Sequence, residues 1–259
     1  MISRIRKNCV SLCRYLIKKN MDYKEINYGS YSRDRELEAS AAFPVLMQKT
    51  YLWMAMALAI TGLTSYVVAT NPTLMGLMFQ YPNAIWLFFI AEIGLVIALS
   101  AAIEKLSLSV ATLMFILYAV LNGVTFSTLF YVYTMGSLAS TFFITAGTFG
   151  AMSAVGFFIK KDLSAMGKIL LMALIGIIIA TVVNIFVGSR GLDMIVSYLG
   201  VLVFVGLTAY DTQKIKKMFV MAPDASAHTQ KYAVLAALTL YLDFINLFLY
   251  LLRIFGNRK

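Results

Sequence analysis

Three carboxylates stand inside stretches that are otherwise apolar: Glu92, Asp211 and Asp243. An ionised carboxylate at the centre of a bilayer costs about 2.5–3.5 kcal/mol on insertion scales, so such an acid turns toward the interior of a helix bundle or a watery cavity. Asp211 precedes Lys214 by less than a helical turn, and a place at the membrane edge among loop lysines is its plain alternative. Asp243 has no cation within a turn on either side. At helical spacing Thr239, Asp243, Asn246 and Tyr250 follow i, i+4, i+7, i+11, which makes one polar stripe on an otherwise apolar helix. That stripe must face protein or water.

The remaining intramembrane polar residues pair at i, i+3: Asn122 with Thr125, and Thr181 with Asn184. Their expected work is helix packing through interhelical hydrogen bonds, each worth well under about 2 kcal/mol. Ala146, Gly150 and Ala154 form a small-residue stripe suited to close helix contact. Enzymatic chemistry finds no support. The single histidine, His228, falls in a loop, so neither a zinc ligand set nor a base beside a serine nucleophile is available. The final span offers no lysine for a Schiff base. Carboxylates without a nucleophile or metal cage point to cation passage or proton sensing, with no cofactor.

The elements that position these groups are membrane spans. Of 259 residues 61% are apolar and 13% charged, against about a quarter charged in soluble domains. No charge occurs between Lys49 and Glu92, a run cut at Asn71-Pro72 and again at Gln80 to Asn83, which predicts spans one and two. The charge-free run from Leu106 to Ile159, with a turn at Tyr131 to Ser137, predicts spans three and four. Residues 169–188, 194–213 and 232–255 predict spans five, six and seven. Lys105, Lys160, Lys161, Lys168, Lys214, Lys216, Lys217 and Lys231 fall on one side and Arg190 on the other, so the N-terminus is expected in the cytoplasm. Arg253, Arg258 and Lys259 lie at the wrong end for seven crossings, and a re-entrant last segment is the alternative.

The net charge of +10 does not call for nucleic acid, because Arg4, Arg6, Lys7, Arg14, Lys18 and Lys19 all precede the first acid. That opening stretch lacks the apolar core of an export leader. It reads either as a surface-lying amphipathic helix or, preferably, as an upstream extension, with the native start at Met21. Residues 1–44 are expected as a basic, polar cytoplasmic tail and 45–259 as the transmembrane domain. Cys9 and Cys13 are too few for a tetrahedral zinc site.

Three runs now combine: Thr208-Ala209-Tyr210-Asp211-Thr212-Gln213-Lys214-Ile215, then Leu240-Tyr241-Leu242-Asp243-Phe244-Ile245-Asn246-Leu247-Phe248, then Leu251 to Gly256. Together with Asn122-Gly123, Lys160 to Ser164 and Asn184-Ile185-Phe186, they resemble the Bax inhibitor-1 family in its bacterial branch, from about residue 45 to the end. The resemblance implies a seven-helix all-α bundle with the C-terminal helix central, in the bacterial inner membrane. It implies a pH-sensitive calcium leak in which Asp211 and Asp243 share a proton and gate the pore on its cytoplasmic side. Two carboxylates close together in low dielectric hold one proton between them and titrate as a unit. Calcium takes six to eight oxygens, more than two aspartates with Asn246 and backbone carbonyls supply, which suits transient occupancy. Glu92 is a further expected lining carboxylate.

Relatives of this kind carry a basic residue near the end of span two that pairs with the aspartates when closed. Here that place holds Ile103, followed by Glu104 and Lys105, so Lys105 is the candidate closed-state partner. The resemblance leaves two alternatives: a regulator or binding partner of a membrane-bound ATP-dependent protease, and a proton-coupled transporter of another solute.

Overall fold

The computed structural model describes residues 33–80 and 82–259 of the chain. The expectations for residues 1–20, for Met21 as the start and for Cys9 and Cys13 lie outside the described residues. Among the described residues nine helices follow in order: α1 (Arg33–Thr70), α2 (Pro72–Gln80), α3 (Pro82–Ala102), α4 (Leu108–Phe126), α5 (Leu129–Val132), α6 (Met135–Phe158), α7 (Ser164–Val187), α8 (Arg190–Val220) and α9 (Ala227–Phe255). Among the described residues the one β contact is an isolated bridge between Tyr133 and Arg258.

Local chemistry sets the boundaries. Proline opens α2 and α3, where its missing N–H costs nothing, and Asn71 Oδ1 caps α2 by accepting from the Thr73 and Leu74 amides. Ser107, Thr134 and Ser189 cap α4, α6 and α8 by accepting from the amide three residues on. Between α7 and α8 the chain reverses over Gly188-Ser189. Gly188 takes φ 65°, a left-handed conformation that a side chain would strain.

Six of these helices are long and apolar enough to cross a membrane: α1 from Ala41, α4 with α5, α6, α7, α8 and α9. In α3 the apolar stretch is shorter, Leu87–Ala102. Apolar faces look outward over much of the molecule; Ile175, Ile179, Val183 and Phe186 of α7 are all exposed, a surface that lipid tails solvate and water does not. The helices outrun the predicted spans: α7 begins at Ser164 and takes in Lys168, α8 runs from Arg190 to Val220, and α9 starts at Ala227. Backbone hydrogen bonding continues into the interface, where hydropathy has already fallen. The expected boundary between tail and transmembrane domain falls inside α1, which is already helical at Arg33 and passes through Pro44.

α9 forms the centre. Its most apolar window is 67% buried, against 6% for α7, and it packs against α8, α6 and α4. Leu238, Leu240, Tyr241, Leu247 and Leu252 are almost wholly enclosed. From α1, Thr50 donates to the Ala233 carbonyl and Thr61 shares a 2.7 Å hydrogen bond with the Tyr241 hydroxyl. α9 is one continuous helix and not a re-entrant hairpin. At its start Lys231 Nζ donates to the Glu104 carbonyl at 2.7 Å and Gln230 accepts from Lys49. At its end Asn257 and Lys259 join the segment around Tyr133, through Thr134 N to Asn257 O at 3.2 Å and Lys259 N to Val132 O at 3.0 Å.

Candidate functional site

The cavity between α7, α8 and α9 has a volume of about 510 Å³. Asp211 reaches it from α8; Thr239, Asp243, Asn246 and Tyr250 reach it from α9, so the polar stripe read from the spacing does line a cavity. Asp243 is 5% exposed, and its Oδ2 is enclosed with no hydrogen bond donated to it among the described residues. The Asp211 carboxyl lies within hydrogen-bonding reach of the Asp243 carboxyl. Two carboxylate oxygens hydrogen-bond only when one carries a proton.

Neighbours shape the pair. Lys214, one turn beyond Asp211, lines the cavity and acts on Asp211 electrostatically, and Lys168 of α7 lines the opposite wall. Asn246 spends its amide donor on the Leu242 carbonyl at 2.8 Å, leaving the amide oxygen for the cavity. Thr239 likewise donates back to Leu235 at 3.2 Å. Close glycines admit the aromatic walls: Gly167 lies against the Tyr210 ring, and a Cβ at Gly200 would stand 2.7 Å from the ring of Tyr250.

The other expected residues lie elsewhere. Glu92, 8% exposed, accepts from Thr125 Oγ1 at 3.0 Å across α3 and α4 and does not line the aspartate cavity. Asn122 donates within its own helix, to the Tyr118 carbonyl at 3.5 Å. Asn184 accepts from the Ser189 amide at 3.0 Å, holding the turn between α7 and α8 and not a neighbouring span. Lys105 is exposed in the turn after α3 and is not among the cavity's lining residues; the cations that are, Lys168 and Lys214, come from α7 and α8.

Several positioning residues carry no sequence signal of their own. Gln213, 5% exposed, donates to Lys161 O at 2.8 Å and accepts from Leu163 N at 2.9 Å, which ties the loop between α6 and α7 to α8 two residues beyond Asp211. Lys216 donates to Phe157 O at 2.6 Å, and Lys217 pairs with Asp162. Thr212 joins a hydroxyl chain through Ser153 to Tyr51, at 3.0 and 2.6 Å. A buried glutamine beside the aspartate was the one clue, since a side chain with both donor and acceptor seldom goes inside unless both are used. At the far end Arg253 donates to Asp193 at 3.0 Å and lies over the Tyr250 ring, 5.7 Å from its centre.

A family model described as inhibitor of apoptosis-promoting Bax1 matches residues 44–259. The inner membrane protein YbhL of Escherichia coli is 49% identical over 229 residues, 87% of this chain and 97% of the relative. A protein of Borreliella burgdorferi is 46% identical over 213 residues, 82% of this chain and 92% of its own length. One from Deinococcus radiodurans is 43% identical, covering 82% and 90%.

Proposed function

The chain belongs to the Bax inhibitor-1 family, and from that premise we propose that it is a pH-sensitive, calcium-permeable leak of the bacterial inner membrane, gated by Asp211 and Asp243. The observation that carries the reading is that both of these carboxyl residues line one cavity beside the central helix. α3 makes the seventh crossing, with the N-terminus in the cytoplasm and the lysine-rich loops on that side. No bond is made or broken in this function; the chemistry is protonation and ion coordination.

With one proton on the pair, the cavity offers one negative charge against Lys168 and Lys214. Loss of that proton supplies a second and favours a divalent cation. Two carboxylates and the Asn246 amide oxygen leave much of a calcium shell to water, so the ion is held weakly enough to leave.

The test is calcium flux into liposomes loaded with a calcium dye. Wild-type flux changes with pH around neutrality, and Asp243→Asn abolishes that response. Flux in the variant equal to wild type at every pH sinks the proposal.

A further inference from the structure

On the face of α9 turned away from the aspartates lies a second cavity, of about 260 Å³, lined by α1, α4, α5, α6 and α9. Phe244, Ile245 and Phe248 form its α9 wall, and Phe126 and Leu138 stand on its flanks. It exceeds the roughly 150 Å³ apolar cavity that stays dry and takes up benzene. Its mouth is formed by exposed residues, Gly62, Tyr66 and Ala139 among them, and a Cβ added at Gly62 would meet no atom within 4 Å. α1 and α6 are both long and apolar enough to cross a membrane, so the mouth opens sideways into hydrocarbon.

Three hydroxyl residues interrupt this lining, Thr61, Ser65 and Tyr66. Ser65 is 3% exposed, borders the cavity, and its Oγ has no hydrogen-bond partner among the described residues. Several buried helix hydroxyls return their hydrogen to a carbonyl one turn back: Thr50 to Leu46, Thr145 to Thr141, Thr208 to Phe204, all at 2.8–2.9 Å. Ser65 does not, and neither does Thr141, whose Oγ1 also lacks a partner among the described residues but which lies outside this lining. Thr61, one turn earlier on the same wall, is fully engaged with the Ala119 carbonyl and the Tyr241 hydroxyl. A water would find too few polar partners in this cavity to stay, so the acceptor for Ser65 must arrive on a largely apolar molecule.

Depth identifies that molecule. Ser65 lies five residues before the end of α1 at Thr70, about 7.5 Å along the axis. The headgroup and interfacial zone of a bilayer is about 5–7 Å thick on each side. With the end of α1 taken as the bilayer surface, Ser65 falls near the level at which phospholipid acyl chains begin, where ester carbonyls are found.

We propose that this cavity seats one acyl chain of a bilayer glycerophospholipid, with Ser65 Oγ donating its hydrogen to the ester carbonyl of that chain. The site is separate from the aspartate cavity and does not depend on what passes through it.

Native mass spectrometry of the full chain tests the assignment, after exchange into mild detergent with either a diester phosphatidylglycerol or its dialkyl ether analogue. Wild type retains one diester lipid per chain and holds the ether analogue about five-fold less well, the loss of one neutral hydrogen bond. Ser65→Ala, a change small enough to preserve the fold, brings the diester down to the ether level. Gly62→Phe fills the cavity and removes the lipid, whereas Gly94→Phe, equally free of neighbours within 4 Å but on α3, retains it. Equal retention of diester and ether by wild type, undiminished lipid on Gly62→Phe, or no lipid on wild type overturns the proposal.

Discussion

Arg253 and Asp193 join the end of the last helix to the start of the helix before it, with guanidinium and carboxylate 3.0 Å apart. The pair resolves an oddity of the sequence, in which cations cluster at the end of α9 that lies away from the lysine-rich loops. Arg253 is there to answer an acid on α8. Both side chains are about a third exposed, at 32% and 36%, so solvent screens the attraction. A double-mutant cycle of Arg253→Ala and Asp193→Ala should give a coupling of about 0.5 kcal/mol in detergent unfolding, falling as salt rises.

The same geometry predicts topology. α9 runs without a break from the Lys231–Glu104 contact to the Tyr133–Arg258 bridge. A reporter active only outside the cytoplasm is expected to be active when fused after Lys259 and silent when fused in the loop at Asp224. Activity at both places would return the last segment to a hairpin.

Gly156 and Gly200 separate two kinds of close contact. A Cβ at Gly156 would meet the Ala209 backbone carbonyl, whereas at Gly200 it would meet the Tyr250 ring 2.7 Å away. Gly200→Ala should cost about 1–3 kcal/mol of stability, and a second change, Tyr250→Leu, should recover most of it. Gly156→Ala should cost at least as much, with no side-chain change to rescue it, because helix backbone must move. Thermal unfolding of the purified variants reads both.

At the lysine-rich end, Lys217 and the Ser164 hydroxyl and amide hold the Asp162 carboxyl down, to a pKa of about 2. A carboxylate whose folded pKa lies below its unfolded value of about 3.9 contributes stability that is complete above about pH 4 and lost as pH falls toward 2. Lys217→Ala is expected to move the Asp162 titration upward and narrow that acid window. Carbon-detected NMR titration of labelled aspartates measures the shift. The Asp162 side chain is exposed, so 1 M salt should erase much of the difference.

Thr125 and Glu92 make a separate prediction. Thr125 Oγ1 lies 3.0 Å from the Glu92 carboxyl, and the Asn122 carbonyl at 2.9 Å is a second acceptor for its one hydrogen. Thr125→Val keeps the shape and removes that donor, at an expected cost of about 1–3 kcal/mol for the unanswered acid. Thr125→Ser should restore most of it, as read by thermal unfolding.

The linear order of residues was enough to establish a polytopic helical membrane protein. Hydrocarbon leaves a backbone nowhere else to bond, so long charge-free runs become helices, and the prolines at 72 and 82 and Gly188 mark where they stop. It was also enough to single out Asp243 with Thr239, Asn246 and Tyr250, because these fall on one face by helical periodicity alone. The meeting of Asp243 with Asp211 is a different matter. It depends on how far α8 slides along α9 and how each helix is rotated, and those are decided by side chains packing between helices, such as Gly200 against Tyr250 and Gln213 against the loop at 161–163. The placement of Glu92 with Thr125, the turn-holding role of Asn184, and the unanswered hydroxyl of Ser65 come from that packing too. Such contacts join residues far apart in the chain, which no local period encodes.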